Sequence, residues 1–407
     1  MCPAFLVRLG VAELSAFYRV VGWFGRKLAQ QVSPLYQTGE SGEQIRPAHF
    51  RVMLWIASAL RATRTALVSQ ARVCYGNNMR WCLVTGGAGF LGSHLVEALL
   101  ERGYRVRVLD DFSSGKRENL ASFQSQIELQ VGSVTDLTAV ESAIRGCELV
   151  FHLAAIASVQ RSLEDPLQTH AVCATGTLQV LQAARRLGVR RVVYAGSSSC
   201  YGDQSDKLSG ETATASLRPC REDDPLRPLS PYAAAKLAGE MYCRAFSQAF
   251  GLETVVLRFF NIYGPRQDAK SPYSGVIALF ANAMLQGQSP TIYGDGLQSR
   301  DFVFVADAVQ ALLLAAETPS ARGQVYNIGT GQATTVLALV EHFNRLLGTN
   351  IVARHGPPRP GDVRHSLADI TRARRELRYQ PRTPLPEGLR LTLDWLRACP
   401  EVTAQTP

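Results

Sequence analysis

The stretch VTGGAGFLGSH, residues 84–94, leaves this chain few folds to choose from. It follows the apolar run WCLVT and opens an apolar-periodic segment, so its glycines mark a strand-to-helix turn. Gly87, Gly89 and Gly92 satisfy GxGxxG, while Gly86, Gly89 and Gly92 satisfy GxxGxxG. A side chain at these positions would block the tight turn, the approach of backbone N–H groups to a pyrophosphate, or close packing of helix on strand. At the end of the next apolar run, RVRVLDD, Asp110 stands where an acid grips the adenosine ribose hydroxyls. A carboxylate there repels a 2′-phosphate, so the pattern predicts NAD rather than NADP. Asp111 is a secondary candidate beside its reading as a solvated turn acid, and Lys116 and Arg117 read as surface charges.

The pattern continues as strand 80–85, helix 90–102, strands 105–110 and 127–131, helix 136–145, strand 148–153, helix 167–187, strand 191–196, helix 231–250 and strand 253–259. Strands alternating with helices predict an α/β fold, a Rossmann-like doubly wound parallel sheet. Beyond about residue 260 the elements shorten around turn signals such as YGDG and NIGTG, as in a smaller C-terminal α/β substrate-binding part. Residues 80–259 therefore read as the NAD-binding domain, 260–407 as mainly substrate-binding, and 1–79 as an N-terminal extension.

That extension holds 9 Arg/Lys against 3 Asp/Glu, or +6 of the chain's +9, which leaves the main body near neutral and suggests no nucleic-acid partner. Segments 4–30 and 50–70 suit basic amphipathic helices, and the alternative reading starts the protein at Met79. VMLWIASAL, bracketed by Arg51 and Arg61, is too short to span a bilayer, so no transmembrane segment is expected. The 9 cysteines are scattered and never form CxxC. Neither a disulfide framework nor a metal site is expected, and a reducing cytoplasmic location fits best.

SPYAAAKLAGE, residues 230–240, carries the candidate chemistry. Ser230 suits an N-cap and Pro231 a first helical position, which puts Tyr232 and Lys236 one turn apart on one helical face. A free tyrosine titrates near ~10, too high for a base at neutral pH, whereas a neighbouring ammonium and a nicotinamide cation favour phenolate. Three serines, Ser197 to Ser199, end an apolar strand at the sheet edge where ligands of such folds bind.

With TGGAGFLGSH, SSSCYGD and SPYAAAK, the stretches FHLAAIASVQRSLEDP, RFFNIYGPRQ, YGDGLQSRDFVFVAD, YNIGTG and RPGDVRHSLAD follow in order. Over nearly all of residues 80–398 the chain resembles the extended short-chain dehydrogenase/reductases, specifically the nucleotide-sugar 4-epimerases. The resemblance implies that Tyr232 is the acid/base, that Lys236 lowers its pKa and holds the nicotinamide ribose, and that Ser197 hydrogen-bonds the reacting hydroxyl. It implies NAD contacts at Gly86, Gly89, Phe90, Leu91, Gly92, Asp110, Asp111, Ser133, Val134, Tyr232 and Lys236. It implies UDP-sugar contacts at Ser158, Ser197, Ser198, Asn261, Gly275, Val276, Arg300, Arg359, Asp362 and Ser366, with the two arginines on the diphosphate and Asp362 at the nucleoside ribose. The sugar C4 is oxidised, the 4-keto sugar turns over, and the same hydride returns to its other face, so NAD is regenerated in each cycle.

Ser366 stands where family members alternate between a bulky tyrosine and a small residue. With Ala157, Ser158 and Gly275 it resembles members accepting N-acetylated sugars, so UDP-GlcNAc/UDP-GalNAc is the first expectation. UDP-glucose/UDP-galactose follows as a side activity, and UDP-glucuronate is a third candidate, with Arg364 either its carboxylate partner or a surface charge. A UDP-glucuronate decarboxylase and a non-catalytic NAD-binding sensor are the rival functions. Ser198 and Ser199 replace the Asp-Glu pair of the dehydratases, which argues against dehydration. Two further departures are Ser133 for the usual adenine-contacting Asp and Cys173 for an Asn that organises the active-site helix. The longer loop 203–228 reads as a lid or a surface insertion. A homodimer packed through helices 167–187 and 231–250 is carried over from the family.

Overall fold

The protein is described by a computed structural model over residues 80–203, 208–209, 216–359 and 361–398; the amphipathic segments expected near the N-terminus lie outside these residues. Six strands follow the order in which the chain reads, β1 (Trp81–Thr85), β2 (Arg105–Asp110), β3 (Ile127–Val131), β4 (Leu149–His152), β5 (Arg191–Ser197) and β6 (Glu253–Phe259). A seventh, β7 (Val325–Ile328), returns late to the far edge. The sheet order is β7-β6-β5-β4-β1-β2-β3 and every pairing is parallel. Parallel strands need crossovers that cover both faces, which is why β4 is buried throughout as LVFH and β1 as CLVT.

One face is packed by helix α1 (Phe90–Glu101), through Leu95, Val96 and Leu99, and by a later helix Val305–Glu317 through Ala308 and Leu312. The other is packed by Val140 and Ile144, by Val180, Leu181 and Ala184 of helix α2 (Gly176–Arg186), and by Phe246 of helix α3 (Pro231–Phe250). The sheet order reverses between β1 and β4, so the crevice at their carboxyl ends is the ligand position of such folds.

Two differences from the sequence reading have physical causes. The helix expected over 167–187 is Pro166–His170 and α2 joined by a π turn, Ala171–Thr175, which contains Cys173. The sheet also does not end at residue 259, because the later helix and β7 complete it, leaving the smaller layer to strands Asn261–Tyr263, Ser299–Phe304 and Ala333–Thr335 with their helices.

Behind the crevice lies a buried ionic knot. Arg258 of β6 makes a two-pronged bond to Glu240 of α3, at 2.5 and 2.9 Å, and both side chains are almost wholly enclosed. The same guanidinium donates to the Tyr201 hydroxyl and to the Glu222 carbonyl, while Glu222 accepts the Asn327 N–H of β7. Residues 218–227 of the long loop are thus wired into the core, through Cys220 bonded to Leu367 and Arg227 to Cys200, and do not form a lid. Removing one partner of such a pair strands a buried charge, so Glu240→Ala is expected to cost ~3–5 kcal/mol in chemical unfolding, whereas disruption of an exposed pair such as Arg186–Glu141 should cost under ~1 kcal/mol.

Candidate active site

The turn after β1 is shaped by what glycine lacks. Gly86 sits at φ +71° with its N–H on the Leu109 carbonyl at 2.8 Å, and a Cβ there would press on the Ala154 backbone at 2.9 Å. A Cβ on Gly92 would run into the Gly86 carbonyl oxygen. The backbone therefore lies open at the N-terminus of α1, a place suited to a pyrophosphate. Asp110, at the end of β2, accepts the Ala88 N–H at 2.8 Å and the Phe112 N–H at 2.9 Å. Burial raises its pKa and these two bonds oppose the rise. Each carboxylate oxygen keeps a further lone pair for a ribose hydroxyl.

A cleft of about 780 Å³ runs from this turn across the carboxyl edge of the sheet. Gly86, Gly89, Phe90, Leu91, Gly92, Asp110, Asp111 and Val134 all line it. Ser133 is the exception among the expected cofactor residues: it is not on the cleft wall, and its hydroxyl accepts from the Thr135 N–H at 3.3 Å and the Thr135 hydroxyl at 3.0 Å in a local turn. Lys116 pairs with Asp268 at 3.3 Å and Arg117 lies over the Phe112 ring at 4.3 Å, so both are used at the surface.

Helix α3 begins as its residues dictate, with the Ser230 hydroxyl accepting the Ala233 N–H at 3.2 Å and Pro231 in the first turn. Tyr232 and Lys236 then both face the cleft, opposite Ser197 at the end of β5. Ser197 Oγ lies 2.8 Å from Ser199 Oγ, and its hydroxyl is among the groups that act on Tyr232. Enclosure by protein pushes the Tyr232 phenol well above its ordinary pKa; the neighbouring Cys173 adds to this and the Ser197 hydroxyl opposes it. Lys236 does not figure among the main influences on Tyr232. Its ammonium stands 4.3 Å from the centre of the Tyr194 ring, and burial lowers its pKa.

In the other half of the cleft, Ser158 caps the helix Val159–Glu164 and Gly275 caps Val276–Leu285, and both line the cavity with Val276 and Asn261. Arg300 pairs with Asp362 at 2.6 Å, not with Asp301, whose carboxylate accepts from Thr330, Gly331 and Ala368. Arg359 lies 3.8 Å over the Tyr293 ring. Arg300, Arg359 and Asp362 all line the cleft. A side cavity of about 190 Å³ opens beside Tyr232 and is walled by Ser197, Ser198, Ser199 and Ser366. Arg364 lines neither cavity and makes a two-pronged pair with Asp295 at 3.0 and 2.7 Å, so its role as a carboxylate partner is withdrawn. The sequence reading missed Thr291, Ile292, Tyr293 and Gln298, which also line the cleft; Tyr293 and Gln298 fall in the quoted motif YGDGLQSRDFVFVAD, from which only Arg300 was taken as a contact.

This sheet, cradle and Tyr-Lys helix together define an NAD-dependent enzyme site of the extended short-chain dehydrogenase/reductase kind. The profile of the NAD dependent epimerase/dehydratase family matches residues 82–329, and the chain belongs to that family, among its nucleotide-sugar epimerases. It is 40% identical over 320 residues to the UDP-glucose 4-epimerase of Mycolicibacterium smegmatis, covering 77% of this chain and 98% of that one. Among solved structures it is similar to the UDP-glucose 4-epimerase of Thermotoga maritima with UDP-glucose, at 39% identity and TM-score 0.71, covering 78% and 99% of the two chains. It is likewise similar to the UDP-N-acetylglucosamine 4-epimerase of Methanobrevibacter ruminantium in complex with UDP-N-acetylmuramic acid, at 36% identity and TM-score 0.71, covering 78% and 98%.

Because the Gly86 carbonyl fills the space that a methyl group at position 92 would need, Gly92→Ala is expected to lose measurable NAD binding by calorimetry. Retained wild-type affinity in a folded variant would contradict the cradle assignment.

Proposed function

We propose that the protein interconverts the C4 epimers of a UDP-N-acetylhexosamine, UDP-GlcNAc and UDP-GalNAc. The observation that carries this reading is the side cavity beside Tyr232, which Ser366 leaves open and where a tyrosine would stand in the way. An acetamido group next to the reacting carbon needs such a space.

The cradle at Gly86 to Gly92 and Asp110 fit NAD, which when bound takes a hydride from the sugar and returns it. Tyr232 accepts the C4 hydroxyl proton and later gives it back, while Ser197, on the same cavity wall, orients that hydroxyl. Lys236, held beneath, binds the nicotinamide ribose. Arg300 and Arg359 hold the diphosphate and Asp362 the nucleoside ribose, so the sugar turns over about a fixed anchor.

UDP-glucose/UDP-galactose is the second reading, supported by the likeness to the M. smegmatis and T. maritima enzymes, and a roomy pocket excludes the smaller sugar only weakly. Serines at 198 and 199 offer no carboxyl acid to expel a hydroxyl, and the engagement of Arg364 with Asp295 removes support for a glucuronate substrate. A homodimer is supported by Leu167, Met241 and Tyr242, exposed apolar side chains on the two helices expected to pair. Buried, unpaired Cys82, Cys173, Cys200 and Cys243 support a reducing cytoplasmic setting.

Incubated with UDP-GlcNAc and no added reductant, the protein should form UDP-GalNAc by NMR, and Tyr232→Phe should slow this by ~10²–10⁴-fold. Ser366→Tyr should abolish conversion of the N-acetylated pair while keeping that of UDP-glucose. If Ser366→Tyr leaves N-acetylhexosamine turnover intact, the side cavity does not hold the acetamido group.

A further inference from the structure

Beneath the cleft lies a buried polar chain that the proposed chemistry does not use. Thr85, the last residue of β1, accepts the Leu153 and Ala154 N–H groups on its hydroxyl oxygen at 3.2 and 3.3 Å, and the same oxygen lies 2.7 Å from His152 Nδ1. His152 Nε2 lies 3.0 Å from the Thr177 hydroxyl, which donates at 2.7 Å to the carbonyl of Cys173 in the π turn. The donors fix the tautomer. Thr177 has one hydroxyl proton, spent on Cys173, so His152 donates from Nε2 and accepts the Thr85 proton at Nδ1.

The chain has two ends that matter. At one, Ala154 is the backbone against which Gly86 of the cradle turns. At the other, the Thr177 hydroxyl and the Tyr194 hydroxyl both face Gly239 of α3, where a Cβ would overlap Tyr194 and lie 3.2 Å from Thr177 Oγ1. Tyr194 donates to the Lys236 carbonyl at 3.1 Å, carries the Lys236 ammonium over its ring, and tilts against the His152 ring at 5.7 Å. Thr85, His152, Thr177 and Tyr194 are each at most 1% exposed. Burial, followed by the nearby Lys236, pushes the His152 pKa down to about 3, so the ring is neutral.

We propose that His152 is a positioning residue that bridges the cofactor turn to the helices setting Lys236, so that cradle and catalytic helix hold one relative placement. The inference rests on the reading of Lys236 as a catalytic group and deepens it. It gives a single buried ring two jobs, each assigned to one nitrogen.

The test uses full-length protein carrying NAD. His152→Phe keeps a ring and loses both bonds; Thr177→Val keeps shape and loses one. Each should lower kcat of the NAD-saturated enzyme roughly tenfold while the KM for the UDP-sugar moves less than about twofold, and His152→Phe should also release NAD faster, read by fluorescence with no sugar present. The double variant should be no slower than the worse single one, because one bridge is broken once. Should His152→Phe fail to fold, Thr177→Val alone still decides. Wild-type kcat in either folded variant, or losses that multiply in the double variant, would overturn the bridge. Because NAD release is measured without substrate, a wrong assignment of the reaction would leave that readout standing.

Discussion

Helix α3 must meet strand β5 in one rotational setting, and the chemistry depends on it. Gly239 sits where no other residue would let the helix close on Tyr194, even though a glycine in a helix interior costs roughly 0.5–1 kcal/mol against alanine. The Tyr194 hydroxyl holds the Lys236 carbonyl, the Arg258 fork holds Glu240 one turn further on, and Ser230 caps the start. These three ties span the segment that carries Tyr232 and Lys236. A rotation of the helix by one residue would turn both side chains off the cleft and leave a buried charge alone.

That fixed setting explains the electrostatics. Tyr232 is enclosed on its protein side, which favours the neutral phenol, and the Lys236 ammonium lies 4.3 Å from the centre of the Tyr194 ring. On the proposed reading, the positive ring of oxidised NAD would supply the charge that favours the phenolate. Acid/base readiness would then be coupled to cofactor loading, which suits a reaction that ends with NAD in the state in which it began.

Much of this was legible in the residues. The strands to β6 and the helix Pro231–Phe250 follow from apolar runs, a Ser-Pro cap and glycine punctuation, all of them local signals. Hidden features were those decided by distant partners. The run VYNI becomes β7 only because β6 offers it an edge, so the sheet could not be closed from local pattern. Ser133 falls to its neighbour Thr135, Arg364 to Asp295 across sixty-nine positions, and Tyr293 joins the cleft through the fold of the C-terminal layer. Cys173 looked like a defect in a motif, yet it sits in a π turn where the Thr177 hydroxyl bonds its carbonyl.

The proposed chemistry turns on how one phenol ionises. Tyrosinate formation should be followed by ultraviolet difference titration in wild-type protein and in Tyr232→Phe, each freed of NAD and then reloaded with the oxidised form. The wild-type difference should show one tyrosine ionising above the ordinary ~10 in the empty protein and at distinctly lower pH once NAD is bound. An identical titration with and without the cofactor would contradict it.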